Sequence, residues 1–155
     1  MSYCGENVSR ETFSPPLNGG NMAKVISFTN KKGGVGKTTT VVNMAAYCAD
    51  FGKRMLLIDL DSQGNATTGL GFSKSALKKS VYNVLIDDEK ISANILPTQL
   101  PLLDILPANV DLTGAEVDLV YKRNRDRILK TALEEVKDRY DYIFIDCPPS
   151  LGLLT

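Results

Sequence analysis

A chain of 155 residues, 43% apolar and 23% charged, has the size and balance of one ordinary globular domain, which excludes a fibrous or wholly disordered protein. Its 18 basic and 18 acidic residues cancel, so no bulk charge draws it to nucleic acid or anionic lipid, and no apolar run reaches the roughly 18 residues of a membrane span. Histidine is absent, which excludes imidazole catalysis and imidazole metal ligation, and Cys4, Cys48 and Cys147 form no Cys-x-x-Cys pair for zinc or a disulfide framework. These cysteines read as free, reduced thiols of a cytoplasmic protein.

In chain order, residues 1–21 contain Pro15-Pro16 and Gly19-Gly20 with no sustained apolar period, so they are expected to be a disordered leader. They carry neither the basic nor the apolar region of a signal peptide, and Met22 is the expected native start. Residues 24–29 form a short apolar run entering a glycine cluster, which predicts a buried strand. Over residues 38–51 the apolar positions Val41, Val42, Ala45, Ala46, Cys48 and Ala49 predict a mostly buried helix, ended by Gly52 in the left-handed conformation. Strands are expected at residues 54–59, 102–106 and 142–146. Residues 125–140 place Leu129, Leu133, Val136 and Tyr140 on one stripe, predicting an amphipathic helix packed on a sheet. This alternation implies an α/β fold, a doubly wound and mostly parallel sheet with helices on both faces. The strand at 142–146 is apolar on both faces, yet few residues follow it and they finish apolar. Residues 22–155 are therefore expected to be the N-terminal part of a larger domain.

The strongest chemical signal is Asn30-Lys-Lys-Gly-Gly-Val-Gly-Lys-Thr-Thr39, between a predicted strand and a predicted helix. A phosphate chain needs several backbone N–H donors converging on one point, and glycine permits the close approach and dihedrals this requires. The helix beginning near Gly36 aims its positive end at the same point. Gly33, Gly34, Val35, Gly36, Lys37, Thr38 and Thr39 are the expected cradle, with Lys37 on the β- and γ-phosphates and the Thr38 hydroxyl on Mg²⁺. The strict P-loop pattern asks for glycine six residues before the lysine; Lys31 stands there instead, and Lys32-Gly33-Gly34 replaces it.

Lys-Gly-Gly-Val-Gly-Lys-Thr-Thr resembles the deviant Walker A motif of the ParA/MinD-type ATPases, whose hallmark is an extra lysine, here Lys32. Leu57-Ile-Asp-Leu-Asp-Ser-Gln-Gly-Asn-Ala-Thr67 is similar to the ParA/Soj branch, although Ser62 stands where that branch commonly has proline. Residues 140–155, with Asp146-Cys-Pro-Pro149, resemble the Walker B strand and switch II, and residues 106–116 resemble the Soj-type connection between these blocks. The resemblance runs from Met22 to Thr155 in unbroken order and implies a P-loop NTPase fold.

Residue roles follow from the motifs and from this resemblance together. Asp146, at the carboxyl end of a buried strand, lies where open α/β sheets bind ligands and is the expected Mg²⁺ ligand with Thr38. Asp61 matches the family residue that orients the attacking water. Asp59, Gln63, Gly64 and Asn65, with Pro148 and Pro149, match the switch segments that respond to the γ-phosphate. The resemblance implies that Lys32 crosses an ATP-dependent homodimer to touch the partner's phosphates; an exposed, solvated lysine is the plain alternative.

The resemblance therefore implies a Mg-ATP-dependent dimerisation-switch ATPase of chromosome or plasmid partitioning, cytoplasmic and nucleoid-associated in a bacterial or archaeal cell. Its implied partners are a ParB-type DNA-binding protein and non-specific DNA, without stable membrane insertion. Two other readings stand beside it: a MinD-like septum-positioning ATPase and an inactive nucleotide-binding fragment. A relative of the nitrogenase iron protein would need two suitably placed cysteines per subunit, and neither Cys48 nor Cys147 fits. Lys122, Arg123, Arg125 and Arg127 form a basic patch that reads first as a solvated face.

Overall fold

Buried apolar runs alternating with helical stripes produce the element order β1 (Lys24–Phe28), α1 (Lys37–Asp50), β2 (Met55–Asp59), α2 (Asn65–Gly69), α3 (Val81–Leu85), α4 (Ile91–Asn94), β3 (Leu96–Pro97), β4 (Leu103–Leu106), α5 (Ala115–Val120), α6 (Ile128–Leu133) and β5 (Tyr142–Asp146). The computed structural model describes residues 22–149. The expected leader, with Cys4, and residues 150–155 lie outside the described residues.

The five strands form one sheet in the order β1-β5-β2-β4-β3. All pairs are parallel except β3 with β4, so the sheet is mostly parallel as expected. β3 is only Leu96–Pro97, too short to stand out in the sequence, and its proline sits on an edge where no ladder donor is needed. Every residue of β2 is buried, because successive side chains of a central parallel strand enter opposite cores. Met55 and Leu57 meet Val41, Ala45 and Ala49 of α1 on one face, with Phe144 beside them. Leu56 and Ile58 join Ile143, Ile145, Leu106 and the buried residues of α3 and α5 on the other. Two cores on opposite faces make the fold doubly wound.

Three expectations need correction. The helix at residues 38–51 was expected to be mostly buried, but only Val41, Ala45 and Ala49 of α1 are buried, because it packs one stripe on the sheet and turns Met44 and Tyr47 to solvent. The strand at residues 24–29 was expected to be buried, but β1 has Val25 at 48% and Ile26 at 40% exposure. β1 pairs with β5 alone and so forms the edge of the sheet among the described residues. Residues 125–140 do not form one helix: a 3₁₀ turn at Arg125–Arg127, α6 and a second 3₁₀ turn at Lys137–Arg139 replace it. The N–H groups of Glu134, Glu135 and Val136 bond back three residues rather than four, the tighter coil of a 3₁₀ segment. The apolar stripe survives this change, with Leu133, Val136 and Tyr140 buried and the Tyr140 hydroxyl donating to Asp104 Oδ2 at 2.9 Å. At the amino end of the sheet, Arg54 closes on Asp141, donating its backbone N–H at 2.8 Å and its Nη2 at 3.0 Å. That pairing sets β2 and β5 in register and holds the Asp141 carboxyl below its usual range.

Phe144 occupies the centre of the α1-facing core and meets Phe28 edge-to-face at a centroid distance of 5.2 Å. Replacing it by alanine should cost about 3–5 kcal/mol of unfolding free energy, read from the urea midpoint at constant slope. A loss under about 1 kcal/mol would show that this core is not closed as described.

Candidate phosphate-binding cleft

Parallel register brings three strand ends together. Phe28 and Asp59 are each paired with Asp146, so the exits of β1, β2 and β5 lie side by side with β5 in the middle. The glycine loop leaves β1, turns through Gly34 (φ 70°) and Gly36 (φ 81°), and enters α1 at Lys37. Both glycines occupy the left-handed region, which costs other residues about 1 kcal/mol or more. Chain neighbours aside, no heavy atom among the described residues lies within 4 Å of a Cβ built at either one, so the loop is open to close approach from outside.

The N–H group of Thr40 is the first in α1 to bond back, to Gly36 O at 2.9 Å. Those of Lys37, Thr38 and Thr39 point out of the helix start without an intrahelical acceptor, and the first turn holds no acidic residue. A 14-residue helix adds the positive end of its dipole there, so the local field favours an anion. The cleft over this point has a volume of about 700 Å³.

Of the expected site residues, Lys32, Gly33, Gly34, Gly36, Lys37, Thr38 and Thr39 line this cleft. From the far side come Asp61, Gln63, Asn65 and Pro149. Val35 is an exposed residue of the loop outside the lining, and Gly64 and Pro148 are buried behind the wall. Asp59 and Asp146 are buried below the cleft floor at the strand ends rather than in its lining. Val42, Asn43 and Gly69 also line the cleft, and sequence reasoning missed them. The first two lie one helical turn beyond Thr38 and Thr39, a spacing that would have found them. Lys74 was missed as well: its ammonium donates to Gln63 O at 2.7 Å, and its stem lies 3.0 Å from where a Cβ on Gly64 would stand. The basic patch lies apart from the cleft, with Lys122 paired to Asp88 at 2.6 Å and Arg127 to Asp126 at 3.7 Å.

The two lysines of the loop differ sharply. Lys37 is only 13% exposed in its side chain and contacts Asp146 Oδ1, whereas Lys32 is exposed and its ammonium has no ion pair among the described residues. Asp146 Oδ2 is buried without a hydrogen-bond partner among the described residues. A spare buried carboxylate oxygen at a strand end, together with Thr38 of α1 in the cleft lining, is a hard-oxygen donor set, which fits Mg²⁺ better than a softer ion.

Asp59 is engaged differently. Its Oδ2 accepts the Thr67 backbone N–H at 2.8 Å and the Thr67 hydroxyl at 2.7 Å, and its Oδ1 accepts the Asp61 N–H at 3.2 Å. Burial pushes its pKa up to about 6, against the lowering effect of the Thr67 bonds and with a further rise from the Asp146 charge. Asp61 is 7% exposed, and its Oδ1 accepts the Gln63 N–H at 2.9 Å. Asp59 and Asp61 stand two positions apart at the end of one strand, a spacing that would aim both the same way, yet they divide: Asp59 turns inward to hold the loop while Asp61 faces the cleft.

Residues 23–155 match the family described as an AAA domain. Over 134 residues the chain is 55% identical to the sporulation initiation inhibitor protein Soj of Bacillus subtilis, covering 86% of this chain and 53% of that protein. It is 49% identical over 134 residues to the chromosome partitioning protein ParA of Myxococcus xanthus, covering 86% and 47%. The fold is also similar to a solved structure described as cobyrinic acid a,c-diamide synthase from Mycobacterium smegmatis with bound ADP and magnesium. That similarity has a TM-score of 0.82 at 44% identity, over 86% of this chain and 54% of the other. The chain spans about half the length of the curated relatives it matches.

The raised pKa of Asp59 has a definite sign in stability. Between about pH 4 and pH 6 the folded state keeps a proton that the unfolded chain releases, so this contribution is complete below pH 4 and is lost as pH rises through about 6. Asp59→Asn lacks that dependence. The unfolding free energy of the wild type minus that of the variant should shrink by roughly 2–3 kcal/mol between pH 4 and pH 7 in urea titrations. A constant difference would mean that Asp59 titrates as a solvated carboxyl.

Proposed function

This chain belongs to the AAA-domain family matched over residues 23–155, and from that premise we propose that it forms the nucleotide-binding part of a Mg-ATP-dependent dimerisation switch acting in chromosome or plasmid partitioning. The observation that carries this reading is the division of labour between two lysines on one glycine loop. Lys37 is drawn inward against Asp146, while Lys32 stands exposed with its ammonium unpaired among the described residues. One cation suffices for the phosphates of the chain's own nucleotide; on this reading the other serves a nucleotide held by a second copy.

In this mechanism the free N–H groups at the start of α1 and along Gly33–Gly36 bind the phosphate oxygens, and Lys37 neutralises the β- and γ-phosphates. Thr38 and Asp146 would hold Mg²⁺, which when bound offsets the charge spread over the transferring phosphoryl group. Asp61 keeps its Oδ1 on the Gln63 N–H and presents Oδ2, free of hydrogen bonds among the described residues, to orient the attacking water. Gln63, Asn65 and Pro149 form the wall that responds to the γ-phosphate, with Gly64 and Pro148 behind it in the same switch segments. Lys32 of each copy stabilises the charge developing in the other copy's site, so turnover requires pairing.

The 55% identity to Soj and the 49% identity to a ParA support the partition role. On this reading a ParB-type protein stimulates hydrolysis, the ATP-bound dimer holds non-specific DNA, and the protein works in the bacterial cytoplasm at the nucleoid. No helix among the described residues is long and apolar enough to cross a membrane.

The test is steady-state hydrolysis and solution mass of the intact gene product with Mg²⁺ and ATP. Lys32→Ala should lower turnover at least about 100-fold, as loss of a charge supplied in trans does. Asp61→Ala should hydrolyse equally poorly yet accumulate as an ATP-bound dimer by light scattering. Unchanged turnover in both variants refutes the mechanism, and a wild type that binds ATP without ever turning it over supports a passive binding module instead.

A further inference from the structure

Among the buried hydroxyls that the mechanism above leaves unused, one lies next to its machinery. Thr67, in α2, has no solvent exposure and does not line the cleft. Its Oγ1 donates to Asp59 Oδ2 at 2.7 Å and accepts the Ala108 backbone N–H at 2.9 Å. Asp59 closes β2 and Ala108 lies just beyond β4, so a single hydroxyl joins the ends of two neighbouring strands to the helix between them. The Thr67 backbone N–H adds a second bond to the same Asp59 oxygen at 2.8 Å.

From there the bonds continue toward the cleft. Asp59 Oδ1 accepts the Asp61 N–H at 3.2 Å, and Asp61 Oδ1 accepts the Gln63 N–H at 2.9 Å. Ala108 also packs from outside, 3.8 Å from where a Cβ on Gly64 would stand. The loop carrying Asp61, Gln63 and Asn65 is thus held at both ends by Asp59, and Asp59 is in turn held through Thr67 by the segment after β4. Buried networks of this kind are stiff while every member is satisfied, and removing one member leaves the others unpaired in a low dielectric.

We infer that Thr67 is a positioning residue for hydrolysis: its hydroxyl, clamped between Asp59 and the Ala108 N–H, fixes the loop so that Asp61 faces the attacking water. Thr67 does this without touching nucleotide. The inference rests on the hydrolytic reading of the cleft and adds a residue to it. Because the P-loop and α1 lie outside this relay, the relay governs the chemical step and leaves nucleotide affinity to the glycine loop. A threonine that merely packs α2 onto the sheet would be replaced without loss by valine, which has the same branched shape.

The test compares wild type, Thr67→Val and Thr67→Ser in the intact gene product, by steady-state hydrolysis and by binding of a fluorescent ATP analogue with Mg²⁺. Valine keeps the shape and deletes the hydroxyl; serine keeps the hydroxyl and deletes the methyl. Thr67→Val should lose at least about tenfold in kcat while its affinity for the analogue stays within about twofold, and Thr67→Ser should recover most of that turnover. Unchanged kcat in the valine variant, a serine variant as slow as valine, or affinity falling in step with turnover would each overturn the role. Should the valine variant not fold, hydrogen exchange on the wild type decides: the Ala108 amide should exchange more slowly with Mg²⁺ and a non-hydrolysable ATP analogue, and an identical rate with and without them overturns the relay. An inactive wild type, by contrast, refutes the hydrolytic reading itself.

Discussion

Parallel pairing of β5 between β1 and β2 is the constraint on which the rest of the molecule depends. It sets Phe28, Asp146 and Asp59 in one row at the carboxyl edge of the sheet. The glycine loop, the buried Asp146 and the Asp59 loop all start from that row. Were β5 an edge strand, Asp146 would be solvated on one side and Lys37 would have no buried counter-charge. The register is itself held at the opposite edge, where Arg54 and Asp141 share four hydrogen bonds. A parallel sheet needs this kind of anchoring because its strands are joined by long crossovers rather than by hairpins.

Charge around the cleft is arranged by depth. At the rim, Lys32 is exposed and the amide donors of the loop and helix start offer partial positive charge. Asp61 lies at the wall with one oxygen committed to its own loop. Asp59 and Asp146 lie at the floor without solvent exposure, and they share that depth unequally. Among the described residues, Asp146 meets a lysine and keeps an unpartnered oxygen, whereas Asp59 meets only neutral donors and the neighbouring Asp146 charge. The same residue type thus pairs with a cation in one place and serves as a structural acceptor in the other, because burial and partners differ.

Much of this was legible in the residues. The strands at β2, β4 and β5 stood out as short apolar runs, and the left-handed Gly52 was expected at the end of α1 and is found there with φ 78°. The loop of residues 30–39 stood out as a candidate phosphate cradle because glycine and lysine recur there between a strand and a helix, and most of its residues do line one cleft. Less was readable where structure is short or shared. α2, α3 and α4 have four or five residues each, too few to show a helical period. The stripe over residues 125–140 correctly named the buried side chains but not the coil that carries them, since a 3₁₀ turn and an α-helix bury similar spacings.

By itself the amino-acid sequence determined which segments are apolar, where the chain must turn, and which residue types can hold a phosphate and its counter-ion. Those properties are local, set by side-chain chemistry and by the dihedrals each residue tolerates. Only the tertiary structure decided that Asp59 turns inward while Asp61 faces the cleft, that Lys37 rather than Lys32 meets Asp146, and that Thr67 reaches Ala108 across 41 positions of sequence. These outcomes depend on strand order and register, which bring distant residues within hydrogen-bond distance, and no spacing along one chain encodes which of two carboxylates turns away from the cleft or which of two ammonium groups meets a buried partner.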